Sequence, residues 1–217
     1  MTESGFLYPN LFYDSFPNYI AEESAEYIVL KSCYSRNDLT DEEKISIGHY
    51  QDIHSYNIQK NNWSIEIPPN WKNKSYCYIM NSCCRYDGFL ESLGDCDQKL
   101  VCTDISNIDS AISKSRFPSF GFAFRGLDNL NWLPFDLSTQ SPVQSSSKLS
   151  FTENAYGSFS LRAENALSYT NPDHPILLQL YLTPEMPALF IDNAEYEILR
   201  PRGISYIFSK CKFGKWK

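Results

Sequence analysis

The residues best placed to do chemistry lie in the last third of the 217-residue chain, where Ala194-Glu-Tyr-Glu-Ile-Leu sets Glu195 and Glu197 two positions apart. On a strand these two carboxylates project from one face, with Tyr196 and Ile198 on the other. Adjacent carboxylates repel and glutamate has low β-propensity, so a structural role explains the pair poorly. A cationic group is expected to meet them. One candidate is Arg125, at the end of the alternating run Phe120-Gly-Phe-Ala-Phe-Arg-Gly. Alternation turns Phe120, Phe122 and Phe124 toward a core and lifts Arg125 onto a face lined by Gly121 and Ala123. That leaves room for a ligand beside the guanidinium. Between these segments Tyr156-Gly-Ser-Phe-Ser-Leu-Arg places Ser158 and Ser160 on a third short strand.

The elements that must hold these residues divide the chain. In the first part, Asn18–Leu30 has helical spacing, and Thr40 with Glu43 forms a capping-box pattern ahead of Ile45, Ile47 and Tyr50. Asn61–Ser75, with Pro68-Pro69, reads as an irregular connection. A further helix is expected where Ile105, Ile108 and Ile112 share a face behind an Asp or Ser cap. Beyond it the pattern becomes that of strands, with Ile176–Leu182 and Ile204–Phe208 joining the three segments above, and Ser138–Ser150 reads as a loop. The expected class is α+β in a single domain over 1–217, with a mostly helical lobe to about residue 103 and a mixed or antiparallel sheet core from about 104 onward.

Composition narrows the function classes. With 42% hydrophobic and 15% aromatic residues the chain can bury a core. A net charge of −7 with no basic stripe speaks against nucleic acid as a partner. Residues 1–10 carry an early Glu3 and no apolar stretch, so no cleavable secretory signal is read there. No window has the ~18 consecutive apolar residues of a membrane span. The seven cysteines form no regular framework, and the five between Cys77 and Cys102 lack a C-x-x-C knuckle or nearby histidines. Free buried thiols and no metal site are expected. The residues alone thus reach a mixed α+β domain with a paired-carboxylate cleft and an arginine near it.

Taken in order, the three segments resemble the arginine–serine–glutamate class of mono-ADP-ribosyltransferases, which includes C2-like and cholera-toxin-like bacterial enzymes and vertebrate ecto-enzymes. The resemblance covers roughly residues 104–208. Phe122-Ala-Phe-Arg-Gly-Leu is similar to the family's strand ending in aromatic-Arg-Gly, and Ser158-Phe-Ser160 to its Ser-Thr-Ser strand, with Phe159 in place of the threonine. Phe190-Ile-Asp-Asn-Ala-Glu-Tyr-Glu-Ile-Leu-Arg-Pro-Arg-Gly is similar to its Glu-x-Glu strand and trailing turn.

The resemblance implies a split sheet around an NAD cleft, with NAD as substrate, a target protein as second partner and no metal. It implies that Arg125 binds a phosphate of NAD with Gly126 allowing close approach, and that Ser158 positions Glu197. Glu197 then engages the nicotinamide ribose and stabilises the oxocarbenium ion formed as nicotinamide leaves. Ser160 and Arg162 are implied NAD contacts. Glu195 is implied to serve the acceptor, and a glutamate there accompanies arginine acceptors. Thr183–Asn193 corresponds to the acceptor-recognition turn, with Phe190 or Tyr196 as its aromatic contact. The expected activity is arginine mono-ADP-ribosylation by an effector delivered into another cell, or otherwise by a cytoplasmic protein. Hydrolysis of NAD, transfer to another residue such as threonine, and a non-catalytic binding module are the alternatives.

Overall fold

Thr40 starts the first described helix as its sequence predicts. Its backbone N–H donates to Glu43 Oε2 at 2.8 Å, and the Glu43 N–H returns a bond to Thr40 Oγ1 at 3.2 Å. This reciprocal cap satisfies two of the donors that a helix start leaves open, and α1 runs from Asp41–Gln51. The computed structural model describes residues 38–51, 75–118, 120–128, 150–171, 176–191 and 195–207. The helix expected at Asn18–Leu30 lies outside the described residues, as do the connection at 61–74 and the loop at 138–149.

Helix α2, Tyr76–Arg85, buries Tyr76, Ile79 and Met80 on one face. A short 3₁₀ turn at Leu90–Ser92 leads to α3, Asp95–Lys114. The sequence places the start of α3 near Asp104, but Asp104 is in mid-helix and buried. The helix starts at Gly94 instead, with Asp95 and Asp97 in the first turn and Lys114 in the last, an order that suits the helix dipole. Its buried stripe runs through Asp97, Val101, Asp104, Ile108, Ala111 and Ile112, the spacing of one helical face. Asp104 is tolerated in that stripe because Tyr76 and Ser46 donate to it at 2.6 and 2.7 Å and His49 Nδ1 lies 3.0 Å away.

Seven strands follow: β1 Gly121–Leu127, β2 Ser150–Glu153, β3 Gly157–Ser160, β4 Ile176–Leu182, β5 Leu189–Ile191, β6 Glu197–Arg200 and β7 Ile204–Ile207. A small helix, α4 at Ala163–Leu167, lies between β3 and β4. Five strands form one sheet in the order β4-β1-β3-β6-β5, and β2 pairs with β7 in a second. All of these pairings are antiparallel. β1 and β4 pair along their whole length, from Gly121↔Leu182 to Leu127↔Ile176, whereas β1 and β3 meet only at Phe124↔Ser160. The large sheet is therefore split beyond that pair.

The three helices cover one face of this sheet, where Ile47, Tyr50, Met80, Val101 and Ile108 pack with Tyr156, Leu189, Ile191 and Leu199. On the other face Ala123, Phe159, Leu182, Phe190 and Ile198 form a second cluster, with Tyr206 of the small sheet against it. Of the three rings expected on the core side of β1, Phe124 is buried and Phe122 half-buried, but Phe120 is exposed and stacks on Tyr181 of the edge strand β4. The described cysteines are free thiols, with Cys77, Cys83 and Cys84 half-buried. Cys96 and Cys102 are exposed, contrary to the expectation of burial, because they fall off the buried stripe of α3. Among the described residues no helix is long and apolar enough to cross a membrane.

Candidate active site

Antiparallel pairing of β3 with β6 sets Ser160 opposite Glu197 and Ser158 opposite Leu199. Because same-face neighbours alternate, Ser158 lies diagonal to Glu197, and its hydroxyl donates to Glu197 Oε1. Glu197 is buried, with 7% of its surface exposed. The phenylalanine between the serines packs into the opposite face of the sheet, so it leaves the serine–glutamate register intact.

Glu195 is not on the strand. β6 begins at Glu197, and Tyr196 before it has the left-handed φ of 52°. The expected Glu-x-Glu pleat with both carboxylates on one face is thus replaced by a turn. The cause is tertiary: Ser160 Oγ donates to the Glu195 carbonyl at 2.6 Å, and the Leu161 N–H donates to the Tyr196 carbonyl at 2.9 Å. A side chain at positive φ costs on the order of 1–3 kcal/mol, and these bonds help to offset it. Arg162 adds to them by stacking its guanidinium 3.8 Å from the centre of the Tyr196 ring, while its backbone N–H donates to Ser160 Oγ at 3.0 Å. Ser160 and Arg162 therefore fix the turn that carries Glu195. The Glu195 side chain is held by the hydroxyl of Tyr169, which donates to its Oε1.

Arg125 leaves β1 where pairing with β3 has ended, near the Phe159 ring at 6.0 Å and with Nη1 3.3 Å from Glu153 Oε2. It is not on a bare face of small residues. Glu153, at the end of β2, is buried and takes a two-pronged bond from Arg85 of α2 at 2.8 and 2.9 Å, plus the Ala155 N–H at 3.0 Å. Burial alone would raise the Glu153 pKa; the Arg85 fork, the charge of Arg125 and the Ala155 N–H outweigh it and hold the carboxyl below its ordinary value. Two guanidiniums on one carboxylate leave a net positive charge beside the split. Gly126 next in line is required by packing: a Cβ there would lie 1.9 Å from the Ala166 carbonyl oxygen of α4.

The helical layer closes the site from its side. Tyr50 of α1 is pushed well up by burial, then by Cys77 and Glu197, against the opposing influence of an Asn81 hydrogen bond and of Arg125. Its hydroxyl therefore lies in the field of both Arg125 and Glu197, on the two sides of the split. The Cys77 thiol is also raised, by burial first and then by Glu197 and Glu195 with Ser75 opposing, and it stays neutral. Phe190, proposed from the sequence as an aromatic for the target protein, is buried in β5 and cannot be presented. Tyr196 is only half-buried. Sequence reasoning missed Glu153, Arg85, Tyr50 and Tyr169. Glu153 left a trace as a carboxylate on the same strand face as Phe151 in Phe151-Thr-Glu, Tyr50 lies in the helix predicted after Thr40, and Tyr169 ends the segment that runs on from Ser158. Among the described residues no group of three or more His, Cys, Asp or Glu side chains is arranged to hold a metal ion.

A helical layer on a split antiparallel sheet, with a serine–glutamate pair on one side of the split and an arginine on the other, is the architecture of an ADP-ribosyltransferase. The sequence model of the ADP-ribosyltransferase exoenzyme family matches residues 30–215, and the chain belongs to that family. It is accordingly an NAD-dependent ADP-ribosyltransferase. Among solved structures, the C3 exoenzyme of Clostridium limosum is 16% identical with a TM-score of 0.55, over 92% of this chain and 91% of that one. C3stau2 from S. aureus, solved with NAD, is 22% identical with a TM-score of 0.54, over 90% and 91%. Plx2a, an ADP-ribosyltransferase toxin from Paenibacillus larvae, is 18% identical with a TM-score of 0.53, over 87% of each chain. At these identities the likeness is one of fold. No curated protein matches the chain by sequence.

Proposed function

We propose that the protein transfers a single ADP-ribose from NAD to an arginine side chain of a target protein, as an effector acting in the cytosol of another cell. The observation that carries this reading is the Ser158–Glu197 hydrogen bond, with a second carboxylate, Glu195, held on a turn just ahead of it. The residues fit NAD as substrate by their charges. Arg125 offers a planar guanidinium, partly accessible at 20% exposure, to the diphosphate. Glu197 sits across the split where positive charge develops on the ribose as nicotinamide departs. A preplaced anion, oriented by Ser158 and buried away from water, stabilises such charge far better than solvent does. Glu195 orients the acceptor guanidinium and takes its proton as it attacks the anomeric carbon. The family supplies the transferase reaction, and the arginine acceptor is our inference from a glutamate at this place.

The two carboxylates should separate in one experiment. Glu197→Gln is expected to lose NAD hydrolysis and protein labelling together, by ~10²-fold or more, because the cation forms whichever nucleophile attacks. Glu195→Gln is expected to lose labelling of arginine and keep hydrolysis. Nicotinamide release and labelling of a cell lysate are measured in parallel, with circular dichroism as the check on folding. Full arginine labelling by Glu195→Gln would refute the acceptor role. Labelling by the parent at a residue other than arginine would refute the arginine assignment.

A further inference from the structure

Glu195 poses a positioning problem that its backbone does not solve. Ser160 and Leu161 pin the Glu195 and Tyr196 carbonyls, yet a glutamate side chain keeps three rotatable bonds beyond that point, and ordering it costs entropy. The residue that meets the carboxylate comes from another element. Tyr169 follows α4, in the turn where the Ser168 and Tyr169 N–H groups still bond back to the Asn165 and Ala166 carbonyls at 3.3 and 3.2 Å. α4 is in turn seated on β1, with Ala163 and Ala166 packed against Phe124 and with Gly126 at the Ala166 carbonyl. The phenol is thus anchored to the strand that carries Arg125, and its hydroxyl crosses to the turn that carries Glu195.

The environment of Tyr169 is unlike that of a packing tyrosine. A little over half of its surface, 53%, is exposed, so the ring contributes little to a core. Its polar end is nonetheless turned inward onto a carboxylate. Partial burial first, then the hydrogen bond and charge of Glu195 and the charge of Glu197, push the phenol pKa up, so the hydroxyl remains a donor throughout the physiological range. A donor to an ionised acceptor gives the stronger kind of hydrogen bond.

We propose that the Tyr169 hydroxyl is a positioning group for the acceptor half of the reaction, holding the Glu195 carboxylate in the orientation that receives the incoming nucleophile and taking no part in the cleavage of NAD. This rests on the acceptor role of Glu195 given above. Removal of the hydroxyl leaves the ring, α4, Ser158 and Glu197 in place and takes one hydrogen bond from the Glu195 carboxylate. Transfer to protein should suffer, and nicotinamide release to water should not.

The test uses the full chain as parent, Tyr169→Phe and Glu195→Gln. Protein labelling is read in a cell lysate with biotin-tagged NAD, and nicotinamide release is read without lysate. Tyr169→Phe is expected to label about 10-fold more slowly, the lower end for a hydrogen bond to a charged group at a half-exposed site, with release within about twofold of the parent. A merely structural tyrosine would shift the melting temperature without separating the two activities. Tyr169→Phe labelling at the parental rate while Glu195→Gln loses labelling would overturn the proposal and leave the role of Glu195 standing. Equal loss of labelling and release in Tyr169→Phe would also overturn it, since the hydroxyl would then act on NAD. Parental labelling by Glu195→Gln would remove the reading beneath the proposal, and the proposal with it.

Discussion

Replacing Glu153 by glutamine should damage the protein more than its distance from the serine–glutamate pair suggests. The carboxylate is 4% exposed and accepts bonds from Arg85 at 2.8 and 2.9 Å, from Arg125 at 3.3 Å and from the Ala155 N–H at 3.0 Å. An amide keeps the shape, but it removes the charge and turns an NH₂ group toward a guanidinium. Breaking a buried ion pair from one side costs about 3–5 kcal/mol because the other charge is left uncompensated. Here both cations keep some water, with 26% and 20% of the Arg85 and Arg125 side chains exposed, so the lower end applies. About 3 kcal/mol in a chain of this size corresponds to a fall in Tm of roughly 6–12 °C. The pH dependence has a definite sign. The native carboxyl lies below its ordinary value of 4.5, so its contribution is complete above that pH and is lost as the pH falls through the depressed native value. Thermal melts of parent and Glu153→Gln should therefore differ most at neutral pH and converge in acid. A neutral-pH difference under about 2 °C, or a gap that widens on acidification, would refute the ion-pair account.

Arg125→Lys keeps the charge but loses the fork, so NAD affinity should fall roughly 10- to 150-fold; calorimetric titration of the folded variant checks this. Gly126→Ala forces a Cβ to within 1.9 Å of a backbone carbonyl in α4, and should lower Tm by several degrees, as overpacking costs about 1–3 kcal/mol. It should also slow protein labelling by displacing α4 and Tyr169. An unchanged Tm would mean that α4 can withdraw freely from β1.

Signals that are local in the chain were readable in advance. The capping box at Thr40 and Glu43 forms as written, and β4 occupies Ile176–Leu182, the apolar run that the sequence marks. The pairing of Ser158 with Glu197 was accessible through the family resemblance, since no local pattern places a serine diagonal to a glutamate 39 residues away. What stayed hidden depends on distant partners. The first half of α3 was obscured because Asp97 and Asp104 interrupt its apolar stripe, and Asp104 is acceptable there only through Tyr76, Ser46 and His49. The turn at Glu195 follows from Ser160, and nothing in Ala194-Glu-Tyr-Glu announces it. Glu153 is one carboxylate in a four-residue strand, and its significance comes from arginines 68 and 28 positions away.

The single register pair Phe124↔Ser160 gives the main sheet a mechanical seam. On one leaf, β4 and β1 carry Arg125; on the other, β3, β6 and β5 carry Ser158 and Glu197. Backbone hydrogen bonds along the rest of the sheet resist shear, but at this seam the strands share one register pair, and side chains make the other links: Ala123 and Leu182 packed with Phe159, Phe190 and Ile198, α4 on β1, and the reach of Tyr169 to Glu195. A dinucleotide gripped at its diphosphate by one leaf and at its ribose by the other would staple the two together. Part of its binding energy would then be stored as rigidity rather than contact, visible as slowed amide exchange at Phe124 and Ser160 in the protein with NAD.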